Sequence, residues 1–153
     1  MRKHVLAVLV YVVATFATQA VSHFGVNAAH YAAVTYLRPQ PVFALGILSM
    51  VIQGSIMAYL YAQVPGAGRS IGHAVFFAWL VGGILVSYEA LAEAGKYNVP
   101  AVGSWIAVEL GAGVVQFTLY GALLGLVHRT RVPQRSSDVT SPGAGAQPPH
   151  AAL

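Results

Sequence analysis

Glu89, Glu93 and Glu109 are three of only four carboxylates in this 153-residue chain, and all three stand inside long apolar blocks. A carboxylate in such surroundings binds a cation, carries a proton or ligates a metal. Left in hydrocarbon without a partner it costs about 2.5–3.5 kcal/mol on insertion scales. Glu89 and Glu93 are four residues apart, so a helix puts them on one face. Glu109 stands one turn past Trp105. That is too deep for a helix N-terminus to stabilise its charge, because the macrodipole effect fades within the first turn.

The first apolar block offers partners. Gln19, His23, Asn27 and His30 lie at offsets of four, eight and eleven from the first of them, one stripe at helical period if the helix continues past Gly25. Arg38 and Lys96 are nearby cations. Seven residues (His23, Asn27, His30, Arg38, Glu89, Glu93 and Glu109) are therefore candidates to line one polar cavity. Glu109 is expected to face the interior near His23 and Glu89, paired with His23, Arg38 or Lys96 or holding a cation. The plainer alternative is that His23 and Glu93 only reach the interface from helix ends. As metal ligands, His23, His30, Glu89, Glu93 and Glu109 would make a nitrogen and oxygen site for zinc, manganese or iron. The Glu-x-x-His spacing of di-iron bundles is missing.

Gln19, Gln53 and Gln116 read as interhelical polar contacts, each worth about 0.6–2 kcal/mol in lipid. His73 and His128 both fall at the cytoplasmic end, on the third and fourth blocks, where facing histidines would suit a haem, but neither lies in a ligand motif. No cofactor is assigned.

These side chains need elements to hold them. Four apolar blocks run over about 5–26, 42–64, 71–94 and 101–127. Each approaches or exceeds the roughly 20 residues that cross a ~30 Å hydrocarbon core. Backbone polar groups in lipid must be satisfied internally, so such blocks are helices, and the ~10-residue alternation of a barrel is lacking. With 57% hydrophobic and 8% charged residues, against about 25% charged in a soluble domain, the chain lacks polar surface to face water all round. The expected fold is an all-α integral membrane protein, a four-transmembrane-helix bundle over 1–128 with a disordered cytoplasmic tail over 129–153.

Basic residues set the orientation. Arg2, Lys3, Arg69, Arg129, Arg131 and Arg135 share one side and Arg38 and Lys96 the other, so both termini are expected inside, in a bacterial inner membrane. Tyr36, Tyr97 and Trp105 then mark the outer boundary. Met1–His4 and the Thr18-Gln19-Ala20 site also resemble a signal peptide; retention of the block is the working assumption. Residues 38–41 should be extended by their prolines, and 64–68 should turn. Gly121 and Gly125, and Gly54 and Ala58, have small-xxx-small spacing suited to close approach within the bundle or between copies. Gln53-Gly54-Ser55-Ile56 loosely echoes Gln116-Phe117-Thr118-Leu119, too short a match to establish a parallel repeat.

Cysteine is absent, which excludes disulfides and thiol chemistry. Phosphate-binding loops, His-Glu-x-x-His and nucleophile elbows are missing, and no catalytic residue is assigned. The net charge of +4 forms no nucleic-acid patch. Three functions follow: a cavity binding or transporting a cation, proton or small polar solute; a non-catalytic subunit or scaffold of a membrane complex; and a membrane metalloenzyme or redox protein. The bilayer is the expected partner, with a homodimer or larger complex in addition.

Overall fold

The computed structural model describes residues 1–38 and 40–129. The tail read over 129–153 therefore lies outside the described residues, Arg129 excepted. Six α-helices and two π turns make up the architecture, with no strand among the described residues. Helix α1 (Arg2–Val21) runs into a π turn (Ser22–Val26), followed by the short α2 (Ala28–Ala32). Helix α3 is Phe43–Gln63. Helix α4 (Ile71–Ser87) continues through a second π turn (Tyr88–Ala92) into α5 (Glu93–Lys96), and α6 is Val102–His128. Four continuous helical segments, Arg2–Val26, Phe43–Gln63, Ile71–Lys96 and Val102–His128, are long and apolar enough to cross a membrane.

The helix boundaries have local causes. Prolines at 41 and 100 precede α3 and α6, where the residue before a proline is driven to extended backbone. Ser70 caps α4 by accepting the backbone N–H of His73 at 3.1 Å. The turn expected at 64–68 is present, with Gly66 and Gly68 at φ of 79° and 80°. Gly68 is constrained twice, since a Cβ there would also strike the carbonyl of His128. This turn, Met1 and His128 define the lower end of the bundle. Helix α2, residues 33–38 and 40–42, and the link 97–101 define the upper end.

Helix α1 packs against α3 and α6, and α6 packs most extensively against α4; α3 and α4 touch little. Glycines set the α4–α6 seam. A Cβ on Gly121 would lie 2.6 Å from the Cα of Val75, and one on Gly125 would lie 2.9 Å from the Cα of Ile71. On α3, Gly54 faces Tyr11, and Ala58 is buried. Both small-residue pairs therefore serve contacts within the bundle. The lower core is aromatic and aliphatic, with Tyr11, Tyr61, Tyr120, Met57 and Leu124 fully buried. A second small core of Tyr31, Val34, Val99 and Trp105 closes the upper end. Trp105, expected at a boundary, is buried there at 4% exposure.

Candidate functional site

All four long helical segments line a cavity of about 310 Å³. Its walls gather Gln19 and His23 from the first segment and Gln53 from α3. Glu89 and Glu93 come from the third segment, and Glu109 and Gln116 from α6. All three carboxylates thus share one cavity with one histidine and three amides. Among the described residues, no lysine or arginine lines it.

Two π turns place the charged groups. A π turn widens the helix by one residue and is common at functional sites. The first carries His23 and the second carries Glu89. Trp105 donates its indole N–H to the carbonyl of Glu89 at 3.0 Å, tying the second π turn to α6.

The first π turn also explains which residues of the predicted stripe reach the cavity. Gln19 and His23 do. The extra residue of the turn advances the stripe by one, and regular helix breaks at Asn27, where φ is −113° and ψ is 20°. Asn27 is left on another groove beside α6, donating from Nδ2 to the Ser22 hydroxyl at 2.9 Å. His30 turns to the hydroxyl of Ser104, 3.3 Å from its Nδ1. Tyr31, one residue later, takes the place that His30 would have held in the cavity wall.

Glu109 is buried, at 7% exposure, and accepts the Tyr31 hydroxyl at 2.8 Å. The imidazole of His23 stacks on the Tyr31 ring, with centroids 3.7 Å apart and planes 11° from parallel. Burial pushes the Tyr31 phenol well above its ordinary range; the Ser22 hydroxyl opposes this and Glu109 reinforces it. The neutral phenol therefore persists as a donor. The expected cationic partners stand elsewhere. Arg38 lines a neighbouring groove formed with the loop after α2. Lys96 donates to the Tyr88 hydroxyl at 3.2 Å and lies over the rings of Tyr88 and Tyr97.

The amides interlock below the carboxylates. Gln19 donates from Nε2 to Oε1 of Gln116 at 2.9 Å, joining α1 to α6. The Tyr11 hydroxyl donates to Oε1 of Gln53 at 2.7 Å, joining α1 to α3. Gln53 in turn donates to Ser49 at 3.1 Å. Tyr11, Thr15, Tyr31 and Ser49 were not among the residues singled out from sequence. Tyrosine and threonine are common in apolar helices, and only the shifted register marks Tyr31.

Among the described residues, no three His, Asp or Glu side chains come close enough together to hold a metal ion. Of the residues named for haem, His128 packs its ring 5.0 Å from that of Tyr61, and His73 lies 6.3 Å from the same ring. His128 Nδ1 is spent on the Leu124 carbonyl at 3.1 Å. The arrangement offers carboxylate oxygens, amide dipoles and aromatic faces around a space for a small solute. No family model matches the chain, and neither the curated proteins nor the solved structures searched include a match to it.

Proposed function

We propose that the chain is an integral membrane protein whose upper cavity binds a small cation from the non-cytoplasmic side. The observation that carries this reading is the composition of the cavity wall: among the described residues, three carboxylates and no lysine or arginine. Buried charge requires compensation, and among the described residues the one ionisable nitrogen in the wall is His23. A cation entering the cavity supplies what the protein withholds. The faces of Tyr31, Trp105 and Phe117 add a surface suited to an organic ammonium as well as a metal ion.

Membrane insertion is supported by the outer surface. Large apolar side chains such as Leu9, Val13, Ile52, Phe76, Leu80 and Ile84 are exposed along the helices. A water-soluble monomer rarely displays contiguous apolar surface on that scale. Arg2, Lys3, Arg69 and Arg129 lie at the lower end, which supports a cytoplasmic location for that end, in a bacterial inner membrane. The upper cavity then faces the opposite side.

The test is cation-dependent thermal stabilisation of the purified chain in detergent. Sodium, potassium and tetraethylammonium chlorides are compared at matched ionic strength. A cation at about ten times its Kd stabilises the native state by about 1.4 kcal/mol. We expect at least one of the three to raise the melting temperature, and Glu109→Gln to abolish that rise while keeping a cooperative transition. A wild-type chain indifferent to all three, or a Glu109→Gln variant that responds like wild type, overturns the proposal.

A further inference from the structure

The amino-acid sequence suggests that polarity stops near mid-depth, at Gln53 and Gln116, which would leave the cavity a dead end. The interior contains more. Tyr11, Tyr120 and Tyr61 are each 0% exposed. Tyr11 forms part of the cavity wall, and its hydroxyl donates a hydrogen bond to Gln53. The ring of Tyr120 meets that of Tyr11 edge-on, with centroids 4.8 Å apart. Tyr120 lies eight residues before His128, about 12 Å above the lower end at 1.5 Å per residue. Tyr61 lies two residues from the end of α3, and its hydroxyl accepts the Gly68 N–H at 3.1 Å. Its ring contacts those of His128 and His73.

Two polar atoms along this column have no partner among the described residues: the hydroxyl of Tyr120 and Nδ1 of His73. Leaving a buried hydroxyl unpaired is costly, and phenylalanine would fill the Tyr120 site without that cost. A bridging water satisfies such atoms and is a regular component of polar interiors. A tyrosine hydroxyl both donates and accepts, which is the property a proton relay needs.

We propose that Tyr11, Tyr120 and Tyr61, joined by water at the unpaired Tyr120 hydroxyl, form the lower half of a proton path linking the carboxylate cavity to His73 and His128. The protein then conducts protons between the two ends of the bundle. In each step one oxygen releases its proton to the next oxygen as it accepts one from the oxygen before. No bond other than O–H or N–H is made or broken. A proton leaves the carboxyl of Glu89 or Glu109, passes along the hydroxyls and water, and departs through imidazole into the lower solution. The proposal rests on the reading of the upper cavity as an ion-binding site in a membrane.

The experiment reconstitutes the full chain in phosphatidylcholine–phosphatidylglycerol vesicles containing a trapped pH-sensitive dye. An inside-negative potassium diffusion potential is imposed with valinomycin. We expect internal acidification faster than in protein-free vesicles. Tyr120→Phe should slow it at least tenfold while the melting temperature holds or rises, and Tyr61→Phe should act in the same direction. If the tyrosines only pack, Tyr120→Phe conducts like wild type, and the path is overturned. It is equally overturned if wild-type vesicles acidify no faster than empty ones. Cation stabilisation of the same preparation separates the two readings. Stabilisation without proton flux removes the path and leaves the cavity; flux without stabilisation does the reverse.

Discussion

The two helical hairpins, α1 with α3 and α4 with α6, follow the same course but close differently. Each begins with a helix that ends in a π turn at the upper end, Ser22–Val26 in one and Tyr88–Ala92 in the other. Each returns through a helix with a glutamine at matching depth. The buried residues of α3 are Gly54, Met57, Ala58 and Tyr61, and at a constant offset of 63 the residues of α6, Phe117, Tyr120, Gly121 and Leu124, are also buried. Gln53 and Gln116 share that offset. The short echo in the sequence therefore continues as a repeat of burial.

The difference lies at the seams. In the second hairpin, Gly113, Gly121 and Gly125 bring α6 against the side chains and backbone of α4. In the first, the Tyr11 ring packs on Gly54 much as Phe117 packs on Gly82 in the second, but the counterparts of Gly121 and Gly125 are Ala58 and Ala62, and most of α3 remains exposed. A two-fold arrangement would match the α1–α6 contact with one between α3 and α4, yet those two helices barely meet. Glycine at 121 and 125 lets α6 meet the backbone of α4, whereas alanine at the matching positions of α3 keeps a methyl group between the helices, and α1 and α3 pack less extensively.

The largest effect should come from adding one carbon to the tight seam. Gly121→Ala sets a Cβ against the backbone of Val75, which cannot rotate aside, and should lower stability in detergent by about 2–3 kcal/mol. Gly54→Ala meets the Tyr11 side chain at 3.1 Å and should cost less than half as much. Comparable losses in the two variants, measured by denaturation of the purified chain, would break the contrast between the hairpins.

Tyr31→Phe probes the open side. It removes the hydroxyl bonded to Glu109 and should cost about 1–2 kcal/mol, because a buried carboxyl oxygen loses its donor. It should also remove part of the stability loss at high pH. The folded state raises the Tyr31 pKa by burial, so the unfolded phenol ionises first, near pH ~10. The contribution is complete below that pH and fades as the pH rises toward the higher folded value. Wild type and Tyr31→Phe with identical slopes above pH 10 would show that Tyr31 is not held neutral by the fold.

The smallest expected effect belongs to the amide pair. Gln19→Leu severs the bond to Gln116 that fastens the first hairpin to α6, and should cost about 0.6 kcal/mol, a common value for such bonds in membrane proteins. The double variant with Gln116→Leu should be less than additive. Full additivity would mean that the two amides do not act as a pair.

Hydrophobic block length determined the four long helices from the sequence alone, because backbone groups among apolar side chains must bond within their own helix. The glycine-bearing turn at 64–68 was legible for an equally local reason, the positive φ that glycine permits. The three carboxylates stood out as rare residues in costly positions. Their gathering with His23 into one cavity was a tertiary outcome, since it depends on how the four helical segments pack together. The predicted stripe ending in His30 failed to continue because periodicity assumes a regular helix. The extra residue of a π turn carried Tyr31 to the cavity and turned His30 to Ser104. The buried tyrosine column was equally invisible. A tyrosine in an apolar helix looks the same facing lipid, a boundary or the core, and only the contacts between helices decide which.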